Sequence, residues 1–84
     1  MTQNDWNCLN VGSLVVSGHA GDQAFGVVTH IQVSPLTRAV DWMFVRWTKW
    51  TDMGRELQNC EVQNNFWDFV GRNVEIVQRS EENA

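Results

Sequence analysis

The chain has 84 residues, of which 43% are hydrophobic, with five Trp, four Phe and no Tyr, and it carries a net charge of −4. That size allows one small domain, which buries about 60–65% of its unfolded surface, and large Trp and Phe side chains supply core area that a short chain otherwise lacks. The negative balance, with the six Lys and Arg scattered along the sequence, argues against the counterion displacement that drives general nucleic-acid binding. No stretch approaches the ~18–20 apolar residues of a membrane span, and residues 1–6 show neither the cationic nor the apolar region of a leader. The expected setting is therefore cytoplasmic. In that compartment Cys8 and Cys60 are expected to be free thiols.

Taken in chain order, residues 1–10 are polar apart from Trp6 and Leu9 and read as an N-terminal arm that Trp6 pins to the body. Residues 13–17 form a first short strand around Leu14, Val15 and Val16. Residues 18–23 then hold two Gly and one Asp, as a tight loop requires. Residues 24–33 are the second strand, with Phe25, Val27, Thr29, Ile31 and Val33 on one face and Gly26, Val28, His30 and Gln32 on the other. The only proline, Pro35, marks the turn at residues 34–38. So short a connection makes the flanking strands an antiparallel pair.

Residues 39–48 are the third strand. Met43, Val45 and Trp47 share the face assigned to the core, which sends Val40, Trp42, Phe44 and Arg46 to the other side. Residues 49–54 read as a wide turn containing Trp50. Residues 57–63 form a fourth strand of poor alternation, and a helix over 52–62 capped by Asp52 is the competing assignment. Residues 66–70 make one helical turn that Gly71 ends. A last strand at 74–77 points Val74 and Ile76 inward. The domain so defined covers residues 11–78, and residues 79–84 form a mobile acidic tail.

Five short antiparallel strands with a helical turn before the last predict a mainly β fold, closed as a small SH3-like barrel, since closure hides sheet edges that few residues cannot otherwise protect. The segments Val11-Gly12-Ser13-Leu14-Val15, Phe25-Gly26-Val27-Val28, Val45-Arg46-Trp47 and Asn73-Val74-Glu75-Ile76-Val77 resemble small SH3-like barrel proteins found in tailed-phage and marine viral genomes. That resemblance implies the barrel fold, a viral source with a host-cytoplasm or virion setting, and a binding or structural role. It transfers no functional residues. Where that family follows Val-x-Trp with a tight Asp-Gly hairpin, this chain has the longer segment 48–54 with Trp50.

Chemistry-bearing constellations are sparse. His19, His30, Cys8 and Cys60 show no two- to four-residue spacing of the kind closed zinc sites use. His30 reads as a solvated or hydrogen-bonded strand histidine. Pairing either Cys with either His has no local motif behind it, and Asp22, Asp41, Asp52 and Asp68 sit at turns and strand ends, where Asp bonds backbone. Neither an enzyme nor a cofactor is expected.

The positive signal is aromatic. If Met43, Val45 and Trp47 fill the core, then Trp42, Phe44 and Arg46 form an outward patch of the residue types that dominate interface hot spots. Two outcomes stand open. Either a second layer covers the patch (the arm with Trp6, or the 66–69 turn), or it is an intermolecular surface. Trp50 is likewise open between exposure and folding back as a lid. The leading expectation is a protein-interaction or structural module using Trp42, Phe44, Arg46 and Trp50 to contact a second copy, as a homodimer, or a peptide. Single-stranded nucleic-acid binding through stacked bases is the alternative, which the net charge disfavours. A small enzyme or an inhibitor of a host protein is a third class, which the sequence does not grade.

Overall fold

The computed structural model describes residues 1–19 and 22–79, so the tip of the first loop and nearly all of the expected mobile tail lie outside the described residues. Two short helices, α1 (Gln3–Asn7) and α2 (Phe66–Gly71), accompany five strands: β1 (Leu14–His19), β2 (Asp22–Val33), β3 (Val40–Asp52), β4 (Arg55–Asn64) and β5 (Glu75–Gln78). The strands form one antiparallel sheet in the order β4-β3-β2-β1-β5. The mainly β class and the strand count are as read from the sequence. The sheet is open, however: β4 and β5 are its two edges and no ladder joins them among the described residues.

Long β2 and β3 strands follow from their β-branched and aromatic content, which suits a pleated, half-buried surface. Met43, Val45 and Trp47 are fully buried on the inner face, as alternation predicts. Gly26 lies opposite Trp47 on β2. A Cβ at that position would sit 2.8 Å from Trp47 Cε3 and 2.5 Å from Val45 Cγ1. The absence of a side chain therefore lets the indole lie against the backbone.

Two compensating bulges alter the simple alternation. Thr29 is an extra residue on β2 and Asp41 an extra residue on β3, each where the β2–β3 register shifts. A bulge inserts one residue on one strand and reverses the side on which the next side chain falls. Val40, expected outside with Trp42, is therefore buried. Likewise, β2 buries Ala24, Gly26 and Val28 before its bulge and half-buries Ile31 after it.

Helix α1 explains why Val40 turns inward. Trp6 Nε1 donates to the Val40 carbonyl at 2.9 Å, and the Val40 N–H donates to Asn7 Oδ1 at 2.9 Å. The β4 ladder reaches only as far as Met43, so α1 supplies the partners that β4 no longer provides. The residue 1–10 segment thus enters the core with Trp6 and Leu9, both buried, and the expectation that Trp6 pins it is met. Its helix starts with a capping box, Thr2 accepting from the Asp5 N–H at 3.1 Å and Asp5 reaching back to the Thr2 N–H.

Helix α2 repeats the device with Asn65 and Asp68. Its end differs from expectation. Gly71 is the last helical residue, and the left-handed position belongs to Asn73 (φ 51°). The Asn73 N–H bonds the Val70 carbonyl at 3.3 Å and the Val74 N–H bonds the Phe69 carbonyl at 2.9 Å, the paired pattern of a Schellman stop. Phe69 and Val74 both join the core, and Phe69 packs edge-on against Trp6 and Trp47.

The wide turn predicted at 49–54 is not formed. β3 continues to Asp52, and only Met53 (φ 50°) and Gly54 (φ 78°) lie between it and β4. Positive φ at both central residues defines the type I′ geometry that matches strand twist. Gly accepts that geometry freely, but Met gives no signal for it. The competing helix over 52–62 is excluded, because β4 runs through that segment.

Candidate functional site

The register fixes which side chains share the outer face of the sheet. Val16 pairs with Phe25, Leu14 with Val27, Val27 with Arg46, His30 with Phe44 and Gln32 with Trp42. Directly opposed residues project to the same side, so Leu14, Val16, Phe25, Val27, Phe44 and Trp42 make one apolar field across three strands. Phe25 is 43% exposed and Val27 42%. Trp42 and Phe44 are half-buried, stacked edge to face with centroids 5.2 Å apart, and His30 lies edge-on to Phe44 at 6.0 Å.

Both helices pack on the opposite face. Trp6 and Phe69 meet Trp47 and its neighbours there. Of the two outcomes left open by the sequence, the covering layer thus forms on the Met43, Val45 and Trp47 side. The partial burial of Trp42 and Phe44 accompanies ring contacts with each other and with His30, all within the sheet.

Polar groups border the field. Arg46 is exposed opposite Glu61 on β4, yet makes no ion pair among the described residues. Glu61 instead accepts from Thr29 Oγ1 at 2.9 Å, and that hydroxyl also lies 3.2 Å from the Phe44 carbonyl. The bulge residue therefore ties β2 to β3 and β4 at the centre of the face. Glu75, paired with Val16, closes the β5 side.

Trp50 is not part of this surface. It lies in β3, is 7% exposed, and packs on Trp47 with centroids 5.4 Å apart. The alternation restarts beyond Trp47, where the Thr48–Asn59 rung is missing from the ladder and Asn59 is left-handed (φ 49°). The Arg72 guanidinium lies 3.7 Å from the Trp50 ring centroid, a cation–π contact that covers the indole. Of the four residues expected to meet a partner, the fold brings together Trp42, Phe44 and Arg46 and sends Trp50 inward.

Arg72 and Trp50 also line a small polar cleft of about 170 Å³ with Ser17, Lys49, Thr51 and Glu56. Asp22 enters the same cleft and pairs with Lys49. The Lys49 hydrogen bond and charge hold the Asp22 carboxyl below the usual carboxylate range, and Asp22 raises Lys49 in turn. The cations of the cleft are thus each engaged, Lys49 by a carboxylate and Arg72 by a ring. Among the described residues no group of three or more His, Cys, Asp or Glu is placed to hold a metal ion. Cys8 and Cys60 are both free.

Sequence reasoning missed Leu14, Val16, Phe25 and Val27 as members of the outer face. The alternation of residues 24–33 was visible, but which side faced inward depended on Gly26 meeting Trp47. Trp67, 72% exposed on α2, is a further outward aromatic that sequence reasoning did not single out. Comparisons with protein-family models, curated proteins and solved structures return no match. No helix among the described residues is long and apolar enough to cross a membrane.

Proposed function

We propose that this chain is a non-enzymatic protein-interaction module that docks protein through the outer face of its sheet, with Trp42 and Phe44 at the centre and Arg46 at the border. The observation that carries this reading is the apolar field itself. Six large side chains lie together on the face that neither helix covers, and exposed contiguous apolar surface on a small domain marks a contact site. Aromatic and Arg side chains are the groups that make such contacts strong.

The finer fold assignment belongs to the same proposal. A four-strand meander, a short helix, and a last strand returning beside the first is the chain order of SH3-like half-open barrels, which commonly serve as binding modules; fold analogy alone assigns no ligand. The viral setting implied by the sequence resemblance is compatible with a structural or docking role.

The test compares faces in dilute solution. Phe25→Thr and Val27→Thr together should cost less stability than the single inner change Val28→Thr, because the outer side chains keep much of their surface in water in the free chain. An outer pair as costly as the inner change would make the face structural and end the reading. Titration with a fluorescent oligothymidylate at low salt should show no binding, since the single arginine on this face provides little counterion release. Saturable micromolar binding there would transfer the face to nucleic acid.

A further inference from the structure

We infer that the protein seated on this face is a second copy of the chain, packed sheet against sheet about a twofold axis. This inference rests on the interaction reading above and names its partner.

Area supports it. The field covers four cross-strand rows, from Val16–Phe25 to Gln32–Trp42, and extends from β1 to β3 with Glu61 on β4 at its border. Strand spacings of about 4.8 Å and rises of about 3.3 Å per residue make it roughly 20 by 25 Å. Two such faces pressed together remove on the order of 1,000–1,400 Å² from water, which reaches the lower end of specific interfaces and falls short of obligate ones. The expected dimer is therefore weak and reversible, with a dissociation constant of roughly 100 µM. Two antiparallel sheets facing each other is also the packing of a β-sandwich, whose layers stand about 10 Å apart.

Charge supports it as well. The chain as a whole is strongly acidic, with ten Asp and Glu against six Lys and Arg. The outer face carries both signs, Arg46 with Glu61 and Glu75 at opposite borders. Arg46 stands beside Val27 and Phe44 without an ion pair among the described residues. A second copy brings two carboxylates to the rim of the apolar field and one cation of its own. Opposite charges are thus available across an isologous contact, the Arg46 of each copy to a carboxylate of the other.

The test is sedimentation velocity of the full chain between 5 µM and 1 mM (concentrations chosen to span the expected constant, roughly 100 µM), with melting temperature followed at the lowest concentration. The parent should shift from monomer to dimer. Val27→Lys, which would bury an ammonium beside Arg46, should weaken the dimer by at least about 30-fold and leave the dilute melting temperature nearly unchanged. Arg46→Glu should weaken it about 10-fold through repulsion from the partner's carboxylates. A parent that stays monomeric at 1 mM overturns the inference, yet leaves the interaction reading standing if the outer-face variants remain neutral in stability. A dimer that survives both substitutions also overturns it, by placing the contact elsewhere, such as the β4 edge.

Discussion

Removal of the Trp6 side chain probes how the short N-terminal helix completes the core. Trp6 is fully buried, meets Phe69 edge-on at 4.9 Å and Phe66 at 6.2 Å, and gives its indole N–H to Val40. Truncating a buried aromatic costs about 3–5 kcal/mol, and leaving the Val40 carbonyl without its donor adds about 1 kcal/mol. A domain of this length has a total stability of roughly 4–12 kcal/mol, so Trp6→Ala should remove about a third or more of it. Trp6→Phe keeps most of the ring contact but not the hydrogen bond, and should cost about 1–3 kcal/mol. Urea unfolding followed by far-UV circular dichroism measures both without relying on the fluorescence of the deleted ring. A Trp6→Ala chain within 1 kcal/mol of the parent (about the worth of a single hydrogen bond) would refute the argument that α1 is an integral wall of the core.

The remaining expectations are local. Gly26→Ala should destabilise by about 1–3 kcal/mol, because the added methyl meets Val45 and Trp47 and a packed core yields only through strain; calorimetry reads it as a lowered melting temperature. Met53→Asn should stabilise by about 0.5–1 kcal/mol, since Met53 is exposed and left-handed and Asn adopts that conformation more readily; an unchanged or lowered urea midpoint would contradict the turn assignment. The Asp22–Lys49 pair should contribute to stability across neutral pH and lose that contribution at both extremes. Asp22 is depressed below its ordinary 3.8, so its share fades as pH falls through and below that value, whereas Lys49 is raised above 10.5, so its share fades as pH climbs past that value. Asp22→Asn should flatten both limbs in a pH series of melting temperatures.

How much of this was legible in the sequence depends on the range of the determining contact. Met43, Val45 and Trp47 were assigned inward from a strict two-residue period, and the structure buries all three. The same period misplaced Val40, because the Asp41 bulge is set by pairing with β2 and by the grip of Trp6 and Asn7 on the Val40 backbone, the latter from more than thirty residues away in sequence. Trp50 was read as a turn residue since Met53-Gly54 lacks the Asn or Asp that usually announces a type I′ hairpin. Its cover, Arg72, comes from beyond α2. The capping box of α1, Thr2 with Asp5, is a sequence-level signal of the kind that does mark a helix start, and it would have turned the expected arm into a helix. The open sheet edges came from pairing geometry, which composition does not encode.

The central claim is that the outer sheet face meets a second copy of this chain. Two-dimensional NMR of the aromatic and indole signals, recorded as the chain is concentrated from about 20 µM to 1 mM to span the constant expected for so small an interface, tests it most directly. The account predicts that Phe25, Trp42 and Phe44 signals move together along one binding curve. The indole N–H signals of Trp6 and Trp47, locked on Val40 and Asn64, should stay in place. Signals that stay fixed throughout, or that move only along β4, would contradict it.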